Sequence, residues 1–477
     1  MSFASPLFLW YFMPVVLAAV LIAPRAWRNG IVAAASLIFY AVGAGPTTLL
    51  LFACMFVNYM VGPALEPNDW DLDPKRRRRM LTGVIVFDVA VLVIWKYAGF
   101  VSTQAAGLAA LTGLDLPTVS LILPIGISFY TFHHISYVVD VYRGERPALR
   151  NGVSFVAYIA MFPQLVAGPI VRYREIADQL AQPRSHRLDD IAAGFPRFAL
   201  GLIKKVVIAD SLAPVVDACF ATPTDQMTTA TAWLGAIAYT LQLYFDFSGY
   251  SDMAIGLGRM LGFKLPENFA RPYSSASITE FWQRWHMSLS RWFRDYVYIP
   301  LGGNRRGART TYRNLWIVFA LAGLWHGANW TFLLWGLYHG TVLVIERRRG
   351  WTVAAAEPGR WLARRALTML IVVVGWVLFR SPDLSTALVF LQHMLIPDFG
   401  GLTDVVSASL TNQRLAILLL AAQVVLLPAQ PTTGGYLESV RSRPATALRV
   451  GVMTIGLAYS ALLIATGTFS PFLYYSF

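Results

Sequence analysis

Apolar runs long enough to cross a bilayer recur along this chain, and short basic clusters separate them. The hydrocarbon core of a membrane is about 30 Å thick, which an apolar helix of ~20 residues spans. Lys and Arg favour cytoplasmic loops, so their placement predicts a topology. Residues 6–23 are predicted to run inward to Arg25 and Arg28, residues 31–45 outward, and residues 47–65 back toward Lys75-Arg76-Arg77-Arg78-Arg79. Residues 80–100 then go out, carrying Asp88 and Lys96, and residues 121–142 return to Arg143, Arg146 and Arg150. The first run has no basic leader and is followed by arginines, so it reads as a transmembrane helix with an outside N-terminus rather than a cleaved leader.

The middle of the chain is less regular. Residues 152–171, 191–220 and 231–261 are apolar but punctuated by Pro163, Pro169, Pro196 and many glycines, which predicts kinked or re-entrant helices. Residues 277–298 set Phe281, Trp282, Trp285, Trp292 and Phe293 against Arg284, Arg291 and Arg294. An amphipathic stretch of that kind is expected to lie in the membrane interface. Later, residues 364–379 run outward and residues 415–427 inward; Arg441, Arg443 and Arg449 mark a cytoplasmic loop, and residues 450–466 exit to leave the aromatic tail outside. The pattern predicts an all-α polytopic membrane protein, one transmembrane domain over residues 1–477, with about ten to twelve crossings and re-entrant and interfacial helices among them.

Composition agrees: 56% of the 477 residues are hydrophobic and 14% charged, which leaves no room for a large soluble domain. The net charge of +13 sits between apolar runs, as the topology requires, and does not indicate nucleic acid. Cys54 and Cys219 lack metal-ligand spacing and read as packed thiols.

One segment changes the picture. Gly323-Leu324-Trp325-His326-Gly327-Ala328-Asn329-Trp330 sets a histidine inside an apolar run flanked by Arg305, Arg306, Arg309 and Arg313 before it and Arg347, Arg348 and Arg349 after it. With both basic clusters on one face, the chain must enter the bilayer and return. A helix from Asn314 to His326 rises on the order of 18 Å, which puts His326 deep in the membrane beside a break at Gly327 and Asn329. Ionisable groups there are costly and usually face a pathway or a reaction. Neutral imidazole is a natural base for activating a hydroxyl. His286, in Arg284-Trp285-His286-Met287-Ser288, is the second candidate; a packing role competes with function for both.

Other groups read as structural. Asp246 and Asp252 are expected to pair with cations or cap a helix broken at Gly249, and His133 and His134 point about 100° apart on a helix, so no joint metal site is expected. Gly256-x-Gly258-x-x-x-Gly262 misses dinucleotide spacing and suits close helix packing. Serine-hydrolase, phosphate-loop and zinc signatures are absent.

Taken together, several segments resemble the membrane-bound O-acyltransferase superfamily, and within it the membrane subunits of bacterial alginate O-acetylation. They are Leu123-Pro124-Ile125-Gly126-Ile127-Ser128-Phe129-Tyr130, Phe162-Pro163-Gln164-Leu165-Val166-Ala167-Gly168-Pro169, Tyr244 to Gly256, Glu280-Phe281-Trp282-Gln283-Arg284-Trp285-His286, Arg294-Asp295-Tyr296 through Leu301-Gly302-Gly303-Asn304-Arg305, Gly323 to Gly340, and Ser470-Pro471-Phe472-Leu473-Tyr474. The resemblance implies a helical fold around a central funnel, with catalytic histidines at His326 and His286 and Tyr474 as an acyl relay, against an interfacial anchor role for that tyrosine. It implies acetyl-CoA as a cytosolic donor substrate, no permanently bound cofactor or metal, and periplasmic SGNH-hydrolase-like carriers or transferases as partners. Residence in the bacterial inner membrane with both termini periplasmic follows from the same resemblance and the charge pattern. Lys204, Lys205, Arg305 and Arg306 are positional candidates for the CoA phosphates. The implied acceptor is an envelope polysaccharide, alginate first; peptidoglycan or cellulose is the alternative within the class, and a non-catalytic acyl or glycan transporter the alternative outside it.

Overall fold

The computed structural model describes residues 1–67, 73–182, 187–351, 358–426, 442–467 and 472–473. Every regular element among them is helical. Among the described residues three helical runs are long and apolar enough to cross a membrane, Arg25–Leu65, Pro74–Ala110 and Trp361–Arg380, and there are shorter apolar helices as well. Large apolar side chains such as Leu49, Phe56, Val86 and Ile94 stand exposed on these runs, as they do where lipid replaces water. The chain divides into two compact units.

The first unit comprises Met1, Leu7–Phe195 and Ala254–Pro266. It holds α1 (Met13–Ile22), α2 (Arg28–Ala44), α3 (Thr48–Val61), α4 (Pro74–Ala110), α5 (Ile127–Tyr142), α6 (Gly152–Ile159), α7 (Phe162–Leu165) and α8 (Tyr173–Ala181). The basic run at residues 75–79 lies not in a loop but in the opening turns of α4, which Asp73 caps by accepting the Lys75 N–H at 3.0 Å. At 37 residues α4 is roughly 55 Å long, so it extends well beyond one bilayer core. Its Asp88 is buried and accepts the Asn58 amide of α3 at 2.8 Å.

The expected span at residues 121–142 starts late. Pro124 restricts the residue before it, and Gly126 takes a left-handed φ of 72°, so α5 begins at Ile127 and is buried through Val141. His133 and His134 are therefore interior residues of this unit, ringed by Tyr158 and Tyr130 respectively.

The second unit comprises Ser2–Pro6, Pro196–Met253 and Glu267–Phe477. It takes in the later part of α9 (Arg187–Ile203), then α10 (Asp210–Phe220) and most of α11 (Thr229–Met260). A π-helical turn, Lys204–Ala209, joins α9 to α10, with Pro196 inside α9 and Pro214 inside α10. The expected break at Gly249 does not occur: α11 runs through it for 32 residues. Gly249 serves close packing instead, because an added Cβ would press on the Gly201 carbonyl, and one on Gly201 would press on the Gly249 carbonyl.

The remaining helices are α12 (Ile278–Arg284), α13 (Met287–Phe293), α14 (Ala308–His326), α15 (Trp330–Arg348), α16 (Pro358–Arg380), α17 (Leu384–Leu395), α18 (Asp404–Ser409), α19 (Asn412–Leu426) and α20 (Arg443–Ala465). The stretch at residues 277–298 departs from expectation. It is two short helices and a π turn, and Phe281, Trp285, Trp292 and Phe293 are buried against protein rather than laid on a surface. The chain doubles back after His326: α14 and α15 form an antiparallel hairpin, with Gly323 against Phe332 and Gly336 against Phe319.

Candidate active site

His326 is the last residue of α14 because Gly327 turns extended and Asn329 opens α15, accepting the Thr331 N–H at 3.1 Å. The Asn329 amide also donates to the Pro382 carbonyl at 2.8 Å, which ties the hairpin tip to the chain after α16. Glycines let the two helices touch at backbone distance, so the tip is held rigidly. The His326 ring is 5% exposed and is boxed by Trp325, Trp335 and Phe379, at centroid distances of 5.0, 5.1 and 5.0 Å.

A cavity of about 470 Å³ opens beside that ring, within the size range of small-molecule sites. Trp282, Met287, Leu289, Phe293, Val318, Phe319, Ala322, Trp335 and Leu343 supply most of its wall, and Thr279, Gln283, Ser290, Arg291, Arg294 and His326 supply the polar positions. An apolar wall carrying one imidazole and two guanidiniums can hold a long, partly anionic ligand while a base faces its reactive end.

His286 lies at the joint between α12 and α13, buried, with φ 44° and ψ 54°. That left-handed backbone is uncommon for a residue with a Cβ. Its Nδ1 is 3.1 Å from Asn268 Oδ1, and Phe247 meets its ring edge-on at 4.7 Å. The cavity wall includes its neighbour Met287 but not His286 itself. The Trp325 ring reaches both histidines, 6.0 Å from His286 and 5.0 Å from His326. The two candidates therefore share one aromatic neighbour, and only His326 faces the cavity.

Two sets of buried acids are matched by cations, which offsets the cost of burying their charge. Asp252 accepts from Arg197 at 2.7 Å and Lys204 at 2.6 Å, and Arg197 also grips Glu267. Lys205 spans Asp210 and Asp246, each at 2.6 Å. Lys204 and Lys205 are thus committed to internal carboxylates, and Arg305 and Arg306 are exposed and off the cavity wall. The cations on the wall are Arg291 and Arg294, the latter half-exposed and paired with Asp295 at 2.7 Å, and the sequence offered both only as part of an amphipathic face. Asn268 carried no signal at all, since its partners are 18 and 20 residues away along the chain.

Tyr474 lies outside the described residues. Its neighbours Phe472 and Leu473 are described: Phe472 is fully buried and stacks on Tyr250 at 4.4 Å, and the Leu473 N–H donates to Asp246 at 3.2 Å. Among the described residues no cluster of His, Cys, Asp or Glu has the makings of a metal site.

Comparison with known sequences bears on this geometry. The model of MBOAT, membrane-bound O-acyltransferase family, matches residues 145–382, a range that contains α12 to α15 and both histidines. A probable alginate O-acetylase AlgI from Azotobacter vinelandii is 44% identical over the full length of both chains. The chain belongs to the membrane-bound O-acyltransferase family. A probable alginate O-acetylase AlgI from Pseudomonas aeruginosa is 45% identical over 89% of this chain and 81% of its own. A peptidoglycan O-acetyltransferase from Helicobacter pylori is 36% identical over 82% and 79%. Membership makes this MBOAT protein a membrane-integral O-acyltransferase, as the resemblance of its motifs implied.

Proposed function

We propose that the protein is an inner-membrane O-acetyltransferase that takes acetyl from acetyl-CoA on the cytosolic side and passes it outward for O-acetylation of an exopolysaccharide, alginate in the first instance. The observation that carries this reading is His326 on the wall of a cavity that also presents Arg291 and Arg294. A thioester is already activated, so transfer needs an aligned acceptor and a base rather than a strong nucleophile. The acceptor hydroxyl gives its proton to the His326 imidazole as its oxygen bonds to the acetyl carbon. The carbon–sulfur bond breaks, and the imidazolium returns the proton to the departing thiolate. Arg291 and Arg294 supply charge for the CoA phosphates.

The outward half of the route includes about ten to twelve crossings around a funnel, periplasmic termini and an SGNH-hydrolase-like partner that delivers acetyl to the polymer. Tyr474 is the proposed relay: its phenol oxygen takes the acetyl and yields it to the partner. Its support is the anchoring of Phe472 and Leu473 beside Asp246 and Tyr250, with one ring, Phe247, between Phe472 and His286. Alginate as acceptor draws on the names of the Azotobacter and Pseudomonas relatives, and the name of the Helicobacter relative keeps peptidoglycan as a second reading.

The test is label transfer. Membranes containing the protein and its co-expressed periplasmic partners are given radiolabelled acetyl-CoA on the cytosolic side, with unacetylated alginate or peptidoglycan fragments outside. Label in alginate supports the proposal, and label only in peptidoglycan reassigns the acceptor. Movement of intact acetyl-CoA without CoA release identifies a transporter and overturns it.

A further inference from the structure

We infer that Asn268 fixes the tautomer of His286, holding the ring proton on Nδ1 and making Nε2 the nitrogen that can accept one. Asn268 is fully buried, and its Oδ1 receives the Ser288 backbone N–H at 3.2 Å and the Ser288 hydroxyl at 2.9 Å. A backbone N–H only donates, so the atom it meets is the amide oxygen and the orientation of the Asn268 side chain is decided. The amide nitrogen in turn donates to Ser251 Oγ at 3.1 Å. With an acceptor 3.1 Å away, Nδ1 of His286 must be the donor. A neutral imidazole carries one ring proton, and Nε2 therefore keeps its lone pair.

Asn268 also fixes the backbone that presents this ring. Its carbonyl accepts the Met287 N–H at 2.9 Å, so residues 286 to 288 are all held by one side chain and one peptide unit. That grip matches the left-handed backbone of His286, which needs surroundings that over-determine it. Asn268 is thus a positioning residue: it acts on acyl transfer through His286 and touches neither donor nor acceptor. When Nε2 takes a proton, the Nδ1–H to Asn268 contact survives, so the imidazolium stays oriented until it gives the proton back.

This inference rests on His286 taking part in acyl transfer, and the experiment separates the two claims. Full-length protein carrying ¹⁵N-histidine is reconstituted in lipid, and the His286 resonances are assigned by their loss in His286→Gln. The expected wild-type spectrum has a protonated Nδ1 and an unprotonated Nε2; a proton on Nε2 overturns the inference whatever the activity. Asn268→Asp, which retains the acceptor, should keep the tautomer. Asn268→Leu should release it and lower kcat for CoA release by up to ~10⁴-fold, the scale of a wrong-tautomer defect elsewhere. KM for acetyl-CoA should stay within about twofold, since His286 is off the cavity wall. Restoration of kcat by Asp but not by Leu supports positioning over mere folding. Unchanged tautomer and kcat in Asn268→Leu overturn it. The expected spectrum in a protein with no acetyl-CoA turnover would uphold the tautomer and remove the acyl-transfer reading.

Discussion

Gly336→Ala tests whether the hairpin of α14 and α15 sets the position of His326. A Cβ at Gly336 would strike the backbone carbonyl of Phe319, and behind it stands Gly323, so no side chain can swing away to make room. Helix α15 must withdraw by roughly 1 Å to regain ordinary contact. Trp335 moves with it, and its ring packs 5.1 Å from that of His326. Overpacking costs about 1–3 kcal/mol, against a gain near 1 kcal/mol from replacing a helical glycine. The net loss of stability should therefore be small, a few degrees or less in Tm. Misplacing a reacting group by 1 Å costs on the order of 10²-fold in rate. The expected signature is a folded, nearly wild-type melting profile with acetyl-CoA turnover down by ~10²-fold. Two controls bracket it. Gly340→Ala comes closest to the Phe319 Cβ, at 3.2 Å, which asks for a few tenths of an ångström, and is otherwise in ordinary contact with the Trp316 and Leu315 backbone, while Gly107→Ala meets nothing within 4 Å; both should keep activity. Full activity in Gly336→Ala would show that close approach of these helices does not position the base.

Other consequences follow from the ion pairs, the cavity wall and an exposed cap. Lys205→Met leaves Asp210 and Asp246 without their shared cation and should destabilise the detergent-solubilised protein by about 3–5 kcal/mol in thermal or denaturant unfolding. Arg291→Gln and Arg294→Gln should each raise KM for acetyl-CoA about tenfold, near 1.4 kcal/mol of binding, with kcat little changed. Asp383 caps α17, and hydrogen bonds from the Ser385 hydroxyl and the Thr386 N–H hold its carboxyl below the usual aspartate range. A depressed native pKa means its contribution is complete above the unfolded-state value and disappears as pH falls through the native one. Asp383→Ala should accordingly cost ~1 kcal/mol at neutral pH, and the difference from wild type in Tm should shrink in acid.

Legibility from sequence followed the physics of each signal. His326 could be found because a lone imidazole in an apolar run between arginine clusters carries a large solvation penalty, and Gly327 and Asn329 marked the break beside it. The stretch at residues 277–298 was misjudged because amphipathicity marks an apolar face without saying whether lipid or protein covers it; here Trp285 packs against buried Trp376, ring centroids 4.9 Å apart. Gly249 was misread for a similar reason: glycine serves breaks and close contacts alike, and only the partner carbonyl of Gly201 distinguishes them. Lys204 and Lys205 looked available because their acids lie as far as 48 residues away in sequence. Asn268 was invisible, since one buried amide has no periodic pattern and acts only through contacts made in the folded chain.

The most direct measurement of the central claim is CoA release from acetyl-CoA by purified, lipid-reconstituted wild type and His326→Ala, each verified as folded by its melting profile. Loss of a positioned base predicts a fall of about 10²–10⁴-fold in the variant. Equal release from both proteins would contradict the assignment of His326 as the group that activates the acceptor.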